Sequence, residues 1–390
     1  MINAFSFANT PQLYFGNGKI STLPAICKVF GSKILLITGA HSFKSAAYSS
    51  ILLDQLSAAG YAVEYYTINK EPTPIIVDRA ANKFIDYAPD VVVAIGGGSV
   101  LDAGKAISAM LPLKDFVKHY LEGVGTQTHP GTKIPFIAIP TTSGTGSEAT
   151  KNAVLSETGE HGYKKSLRHN NFVPNVAILD PSLTLSCPKA TTAASGMDAF
   201  TQLLESYLST ASNPMTDALA LEGLKRISNS LLRVYHDGSD LNARTDMSMA
   251  AYLSGITLAN AGLGLVHGFA SSVGGYYEIP HGVICSSMMA ATNKITVRKL
   301  RSEKSNSEAL EKYANVGRLF SDLQNKSSEY YTDSLLDLIH TWATEMSIPK
   351  LSEGGVTLND VEKIVESTDN KNNPVKLNKD EIEEVLKMAM

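Results

Sequence analysis

Short β-branched runs alternate with segments of helical spacing through the first half of the chain, and that alternation restricts the fold more than any other feature. Residues 33–38 (KILLIT) hold four consecutive apolar residues and 91–95 (VVVAI) are apolar throughout, so they read as strands buried on both faces. A further strand is expected over 62–68, with helices over 45–59 and 75–87 between the strands. Strand, helix and strand in succession require crossover connections, hence a parallel sheet with helices packed on its faces. Ligands of such sheets bind beyond the carboxyl ends of the strands.

Two glycine-rich turns fall at such ends. The first, GGGSVLDAGK at 96–105, follows VVVAI and opens a helix, so its free amides and the positive helix end suit a pyrophosphate. Neither familiar fingerprint is met. Leu101 stands where G-x-G-x-x-G wants its third glycine, and Ala106 replaces the hydroxyl residue of a Walker-type loop. The second turn, PTTSGTGSEAT at 140–150, follows an apolar strand expected over 134–139. Thr141, Thr142, Ser143, Thr145 and Ser147 offer small hydroxyl donors to a nucleotide, although Ser and Thr serve equally as turn and cap residues.

After about residue 187 the periodicity becomes helical, through 215–232, 247–258, 309–323 and 334–346. Asn378 and Glu381 form a capping-box start to a last helix. The expectation is therefore an α/β domain of residues 1–186 with a parallel sheet, followed by an all-α domain of residues 187–390. Residues 302–312 and 369–373 read as solvated polar loops.

Within the helical half, Asp198, His267 and His281 lie in apolar, Gly-punctuated sequence. A buried ionisable group needs a partner or a cation. Ser195-Gly196 reads as a start signal that places Asp198 in the first turn of a helix, while Gly274, Gly275 and Pro280 are expected to turn the backbone before His281. One carboxylate and two imidazoles from three elements suit a divalent cation with open positions. The same residues also read as an Asp cap and two hydrogen-bonded core histidines.

A net charge of −4 at neutral pH gives no basic face for nucleic acid, and no stretch approaches the roughly 20 apolar residues of a membrane span. The opening residues lack the pattern of a signal peptide, and the three cysteines are odd in number and far apart. Both point to a cytoplasmic protein.

Several motifs then occur in order: FGNG at 15–18, GGGSVLDAGKA at 96–106, IPTTSGTGSE at 139–148, VAILDP at 176–181, GMDA at 196–199, GLGLVHG at 262–268, PHGV at 280–283 and NNP at 372–374. In these the chain resembles, nearly end to end, the iron-containing (group III) alcohol dehydrogenases. That family pairs a nucleotide-binding α/β domain with an all-helical metal-binding domain in the dehydroquinate-synthase-like fold. The resemblance implies metal ligation by Asp198, His267 and His281, with Gln202 where the family has a fourth, histidine ligand, and one divalent metal, Fe or Zn. Cys285, one turn after His281, offers a soft substitute ligand, but a buried free thiol is the ordinary reading. Ser271 replaces a histidine that many relatives place near the nicotinamide, so a proton relay there runs through Ser271, the cofactor ribose or water.

The same resemblance puts Gly97, Gly98 and Ser99 at the cofactor pyrophosphate, Thr141, Thr142 and Thr145 around the nucleotide, and Asn152 and Lys164 at the nicotinamide-side ribose, with Asp102 also at the cofactor. NAD-preferring members often carry an Asp after the first strand. Residues 38–44 contain no acid, with Gly39 and Ser42 at the cofactor and His41 and Lys44 nearby, so the cofactor is NAD(P) with a lean to NADP. The implied activity is reversible hydride transfer between a small alcohol and its aldehyde or ketone, in a homodimer or larger homo-oligomer. A lyase using NAD transiently and a non-catalytic nucleotide-binding homologue are the competing readings.

Overall fold

The computed structural model describes residues 4–40, 42–304 and 306–390. His41, a candidate cofactor neighbour, lies outside the described residues. The chain order is β1 (Gln12–Phe15), α1 (Leu23–Cys27), β2 (Lys33–Gly39), α2 (Ser42–Ser45), α3 (Ala47–Ala58), β3 (Ala62–Ile68), α4 (Pro74–Phe84), β4 (Val91–Gly96), α5 (Gly98–Met110), β5 (Phe136–Pro140), β6 (Asn152–Glu157), β7 (Tyr163–Arg168) and β8 (Val176–Leu179). Helices then follow: α6 (Lys189–Leu208), α7 (Pro214–His236), α8 (Leu241–Ala261), α9 (Leu265–Tyr276), α10 (His281–Glu303), α11 (Ser307–Leu319), α12 (Ser328–Glu345), α13 (Val361–Ser367) and α14 (Lys379–Ala389).

Six strands form one parallel sheet in the order β1-β8-β5-β4-β2-β3. Successive side chains of a strand point to opposite faces. Leu35, Ile37, Val92, Ala94 and Phe136 accordingly pack on one side with α4 and α5, and Ile34, Leu36, Val91, Val93 and Ile137 pack on the other with Leu52 and Leu56 of α3. The chain steps outward from β2 to β3 and then returns past β2 to β4. That reversal opens a crevice at the carboxyl ends of β2 and β4, where a parallel sheet binds ligands.

The helical half has two cores. Phe200 is fully buried, stacked on Phe320 with ring centroids 5.0 Å apart and flanked by Trp342, in the core shared by α6, α7 and α8. Leu265, Phe269, Ile284 and Met288 anchor the second core, between α9, α10, α13 and α14. Among the described residues, no single helix is long and apolar enough to cross a membrane.

Several local expectations are corrected. Helix α6 begins at Lys189, so Ser195-Gly196 does not start it and Asp198 sits in its middle. Gly196 is there for space: a Cβ at that position would lie 2.3 Å from Leu231 Cδ1 on α7. Gly274 and Gly275 lie inside α9 and do not break it. A Cβ on Gly274 would lie 2.9 Å from Lys164 Cδ, so the glycine admits β7 close to the helix, and the turn before His281 is left to residues 277–280. Residues 302–303 end α10 and residues 307–312 open α11, with Lys312 buried and paired to Asp217 at 2.8 Å. The antiparallel β6–β7 hairpin has no sequence-level counterpart above. Its strands are as long as β4, but NAVLSE and YKKSLR show neither a continuous apolar run nor a clean alternation.

Candidate active site and metal centre

The PTTSGTGSEAT loop joins the two halves. Gly146, at φ +61°, touches Gly255 of α8 so closely that a Cβ on Gly255 would lie 2.2 Å from the Gly146 carbonyl oxygen. Lys105, fully buried on α5, pins the far end of the loop. Its ammonium donates to Ser147 O at 2.7 Å, Thr150 Oγ1 at 2.8 Å and Asn152 O at 2.8 Å. Burial pushes Lys105 down to about 8, against the pull of Asp102 and Glu148.

The loop, the α5 N-terminus and the helical half enclose a cleft of about 570 Å³. Gly98, Ser99, Asp102, Thr145, Asn152 and Lys164 line it from the α/β side, and Gln202, His267, Ser271 and His281 from the helical side. Gly39, Ser42, Gly97, Thr141 and Thr142 do not line the cleft itself. They extend its rim along the sheet's carboxyl edge, where Thr141 N donates to Gly96 O at 3.0 Å and the Cβ position of Gly97 faces Thr142 Oγ1 at 3.3 Å. Asp102 Oδ1 accepts from Ser147 Oγ at 2.5 Å. Lys164 is buried and pairs with Glu71 Oε2 at 2.5 Å, while Glu71 Oε1 accepts the backbone N–H of His281 at 3.3 Å.

Behind the cleft the expected trio converges. Asp198 is 1% exposed, and neither of its carboxylate oxygens has a hydrogen-bond partner. His267 Nε2 stands 3.5 Å and His281 Nε2 3.9 Å from Asp198 Oδ1. A buried carboxylate with no donor is costly unless a cation occupies the space before it. The residues present therefore fit a metal ion. Cys285 completes the group: one donor atom from each of Asp198, His267, His281 and Cys285 fits within 4.8 Å. Gln202, on the same helix face as Asp198, is buried, and its Oε1 accepts from Ser254 Oγ at 2.8 Å.

Electrostatics favour neutral imidazole at the second histidine. Burial pushes His281 down to about 4, Asp198 opposes this, and Lys164 and His267 reinforce it. Burial likewise works to raise Asp198, but the two histidines hold its carboxyl below the usual range. For His267 burial favours the neutral ring, yet Cys285 and Glu205 outweigh it and raise the pKa well above the ordinary value.

Three residues of this site escaped sequence reasoning. Glu205, seven residues after Asp198, turns Oε2 to His267 Nδ1 at 2.6 Å and accepts Val266 N on Oε1 at 2.7 Å, capping α9 from another helix. The only hint was a carboxylate inside an apolar helical run. Glu71 gave no hint, since its partners come from β7 and α10. Lys371 belongs to the stretch read as solvated loop, but Asp369, Lys371 and Asn372 line the cleft, and Lys371 Nζ donates to His267 O at 2.8 Å and to Ser271 Oγ at 3.3 Å. Ser271 Oγ itself donates to His267 O at 2.9 Å.

Comparison with known proteins resolves the class. The model of the iron-containing alcohol dehydrogenases matches residues 10–181, and the C-terminal model of the Fe-containing alcohol dehydrogenase family matches residues 192–390. The chain belongs to the iron-containing alcohol dehydrogenase family. Alcohol dehydrogenase 4 of Saccharomyces cerevisiae is 33% identical, with 100% of this chain and 99% of that one covered. The NADPH-dependent butanol dehydrogenase of Clostridium saccharobutylicum is 30% identical, covering 96% of this chain and 95% of its own. A crystal structure of 1,3-propanediol oxidoreductase superposes with a TM-score of 0.88 at 29% identity, over the whole of both chains. As an iron-containing alcohol dehydrogenase, the protein is an oxidoreductase of alcohols and aldehydes that uses a nicotinamide nucleotide and a metal. The lyase and non-catalytic readings are not favoured.

Proposed function

We propose that this alcohol dehydrogenase holds one divalent cation, Fe or Zn, on Asp198, His267 and His281 and reduces small aldehydes with NADPH, running in reverse with the alcohol. The observation that carries the reading is the buried Asp198 carboxylate, with both oxygens unpartnered and two imidazoles facing it. When bound, the nicotinamide supplies or takes the hydride and the cation polarises the carbonyl oxygen.

The chain's own residues do the positioning. Glu205 fixes His267 by holding Nδ1, which leaves Nε2 for the metal. Gly98, Ser99, Asp102, Thr145 and the rim residues Gly97, Thr141 and Thr142 take the nucleotide. Asn152 and Lys164 stand on the ribose side, where Glu71 keeps Lys164 in place. Ser271 holds the proton-relay position, and its Oγ lies 3.3 Å from the Lys371 ammonium. The lean to NADP rests on the acid-free stretch at residues 38–44, with Ser42 and Lys44 exposed beyond β2 beside Gly39.

The two family models leave residues 182–191 between them, which supports a domain boundary near 186. Three free cysteines support a cytoplasmic setting, and a homodimer or larger assembly follows from the family resemblance. Sedimentation of the purified protein tests the last point.

Chelation to a metal-free state should abolish NADPH oxidation with small aldehydes, and adding back Fe(II) or Zn(II) should restore it. Full turnover by metal-free protein would overturn the reading. Ser42→Asp should move the kcat/KM ratio towards NADH by about 10-fold, equivalent to about 1.4 kcal/mol.

A further inference from the structure

We propose that the Cys285 thiolate, and not Gln202, supplies the fourth protein ligand to the metal, giving this chain an Asp-His-His-Cys donor set. The proposal rests on the metal-binding reading above. Its ground is geometric. Cys285 Sγ lies 3.6 Å from His267 Nε2 and 3.6 Å from His281 Nε2. Bonds of about 2.3 Å to sulfur and about 2.05 Å to nitrogen, meeting at a tetrahedral angle, set those two donors roughly 3.6 Å apart. The same arithmetic with a carboxylate oxygen gives roughly 3.4 Å, beside the observed 3.5 and 3.9 Å from Asp198 Oδ1 to the two Nε2 atoms. Four of the six donor–donor separations thus match what one shared ion requires, and all four donor atoms lie within 4.8 Å of one another.

Position on the helix explains why the sulfur reaches. Cys285 follows His281 by four residues on α10, so both side chains leave the same face. The thiol is fully buried, and its side-chain hydrogen-bond contacts among the described residues include His267 Nε2 and His281 Nε2. Asp198, unpartnered and buried, is the independent sign that a cation belongs there. Gln202 offers one metal-binding atom, its amide oxygen, and Ser254 Oγ already approaches that atom at 2.8 Å. His267 and His281 line the cleft, whereas Asp198 and Cys285 sit behind them, so the anionic donors form the floor of the site and the imidazoles its mouth.

A thiolate softens the site. Soft donors favour Zn(II) over Fe(II) relative to an all-imidazole and carboxylate set. Deprotonated sulfur is the ligand, so the thiol proton leaves to solvent when the metal binds.

Cobalt(II) substituted into metal-free protein reports sulfur ligation by an intense near-ultraviolet sulfur-to-cobalt charge-transfer absorption. The wild-type protein should show this band at one cobalt per chain. Cys285→Ser should lose the band while still binding cobalt more weakly than the wild type, and Gln202→Leu and Cys187→Ser should keep it. One bound cobalt without the band, or a band that survives Cys285→Ser, overturns the proposal and leaves the metal site standing. Absence of stoichiometric cobalt binding in the wild type instead sinks the metal reading itself. Should Cys285→Ser fail to fold, zinc-edge X-ray absorption on the unaltered protein decides, with a sulfur scatterer at about 2.3 Å expected and a shell of nitrogen and oxygen alone refuting it.

Discussion

Glu205 grips two parts of α9 at once, its Oε2 lying 2.6 Å from His267 Nδ1 and its Oε1 accepting Val266 N at 2.7 Å. The carboxylate therefore fixes both the tautomer of His267 and the direction in which the helix delivers it. Glu205→Gln keeps the shape and removes the charge. Competitive chelation should find metal affinity reduced 10- to 100-fold. Unchanged affinity would mean that His267 is oriented by packing alone.

The nucleotide side is tested at the α5 N-terminus. A Cβ on Gly98 would lie 2.8 Å from both Cγ2 and Oγ1 of Thr145, so Gly98→Ala must displace Thr145 or the turn. The KM for the nicotinamide cofactor should rise about 10-fold, a loss of about 1.4 kcal/mol, with metal content untouched. A loss of metal instead would show that the two sites are not separable in this way.

Registration of the two halves depends on the Gly146–Gly255 contact. Gly255→Ala adds a methyl where the Gly146 carbonyl oxygen already stands, 2.2 Å from the new Cβ. Cleft walls pushed apart by about 1 Å should reduce kcat by up to about 100-fold, since hydride transfer is sensitive to distance. Steady-state kinetics beside a thermal melt separate this from simple unfolding: a melt that collapses to the same extent as kcat would refute the misregistration account.

Glu148 makes stability depend on pH. Burial pushes its carboxyl up to about 7 from 4.5 in the unfolded chain, despite the opposing pull of Lys105. The folded state therefore retains a proton that the unfolded state has lost. Its contribution is complete below pH 4.5 and disappears as pH rises through 7. Relative to Glu148→Gln, the wild type should lose about 1.4 kcal/mol per pH unit across that window. Denaturant melts giving parallel pH profiles for the two proteins would contradict the assignment.

The sheet and the convergence of Asp198, His267 and His281 were legible in the sequence for the same reason. VVVAI and the ILLI of KILLIT have only one comfortable environment, and Asp198, His267 and His281 are ionisable groups set in largely apolar sequence. What stayed hidden is tertiary. Gly196, Gly274 and Gly275 look like punctuation until the neighbours that need their bare Cα atoms are placed against them. Lys371 looks like loop polarity until its ammonium is seen on the His267 carbonyl. Cys285 reads as one more buried thiol, because only the fold reveals that two imidazole nitrogens stand at equal distance from its sulfur.

Glu71 comes from the nucleotide half, yet it holds Lys164 with one oxygen and the first amide of the helix bearing His281 with the other. One carboxylate therefore touches both walls of the cleft. Glu71 is thus the residue through which any coupling between the proposed cofactor and cation sites would run. If occupancy of the ribose side by nucleotide tightens the grip on the ion, reciprocity requires the ion to tighten the grip on nucleotide by the same factor, and cation titrations with and without nucleotide read that factor directly.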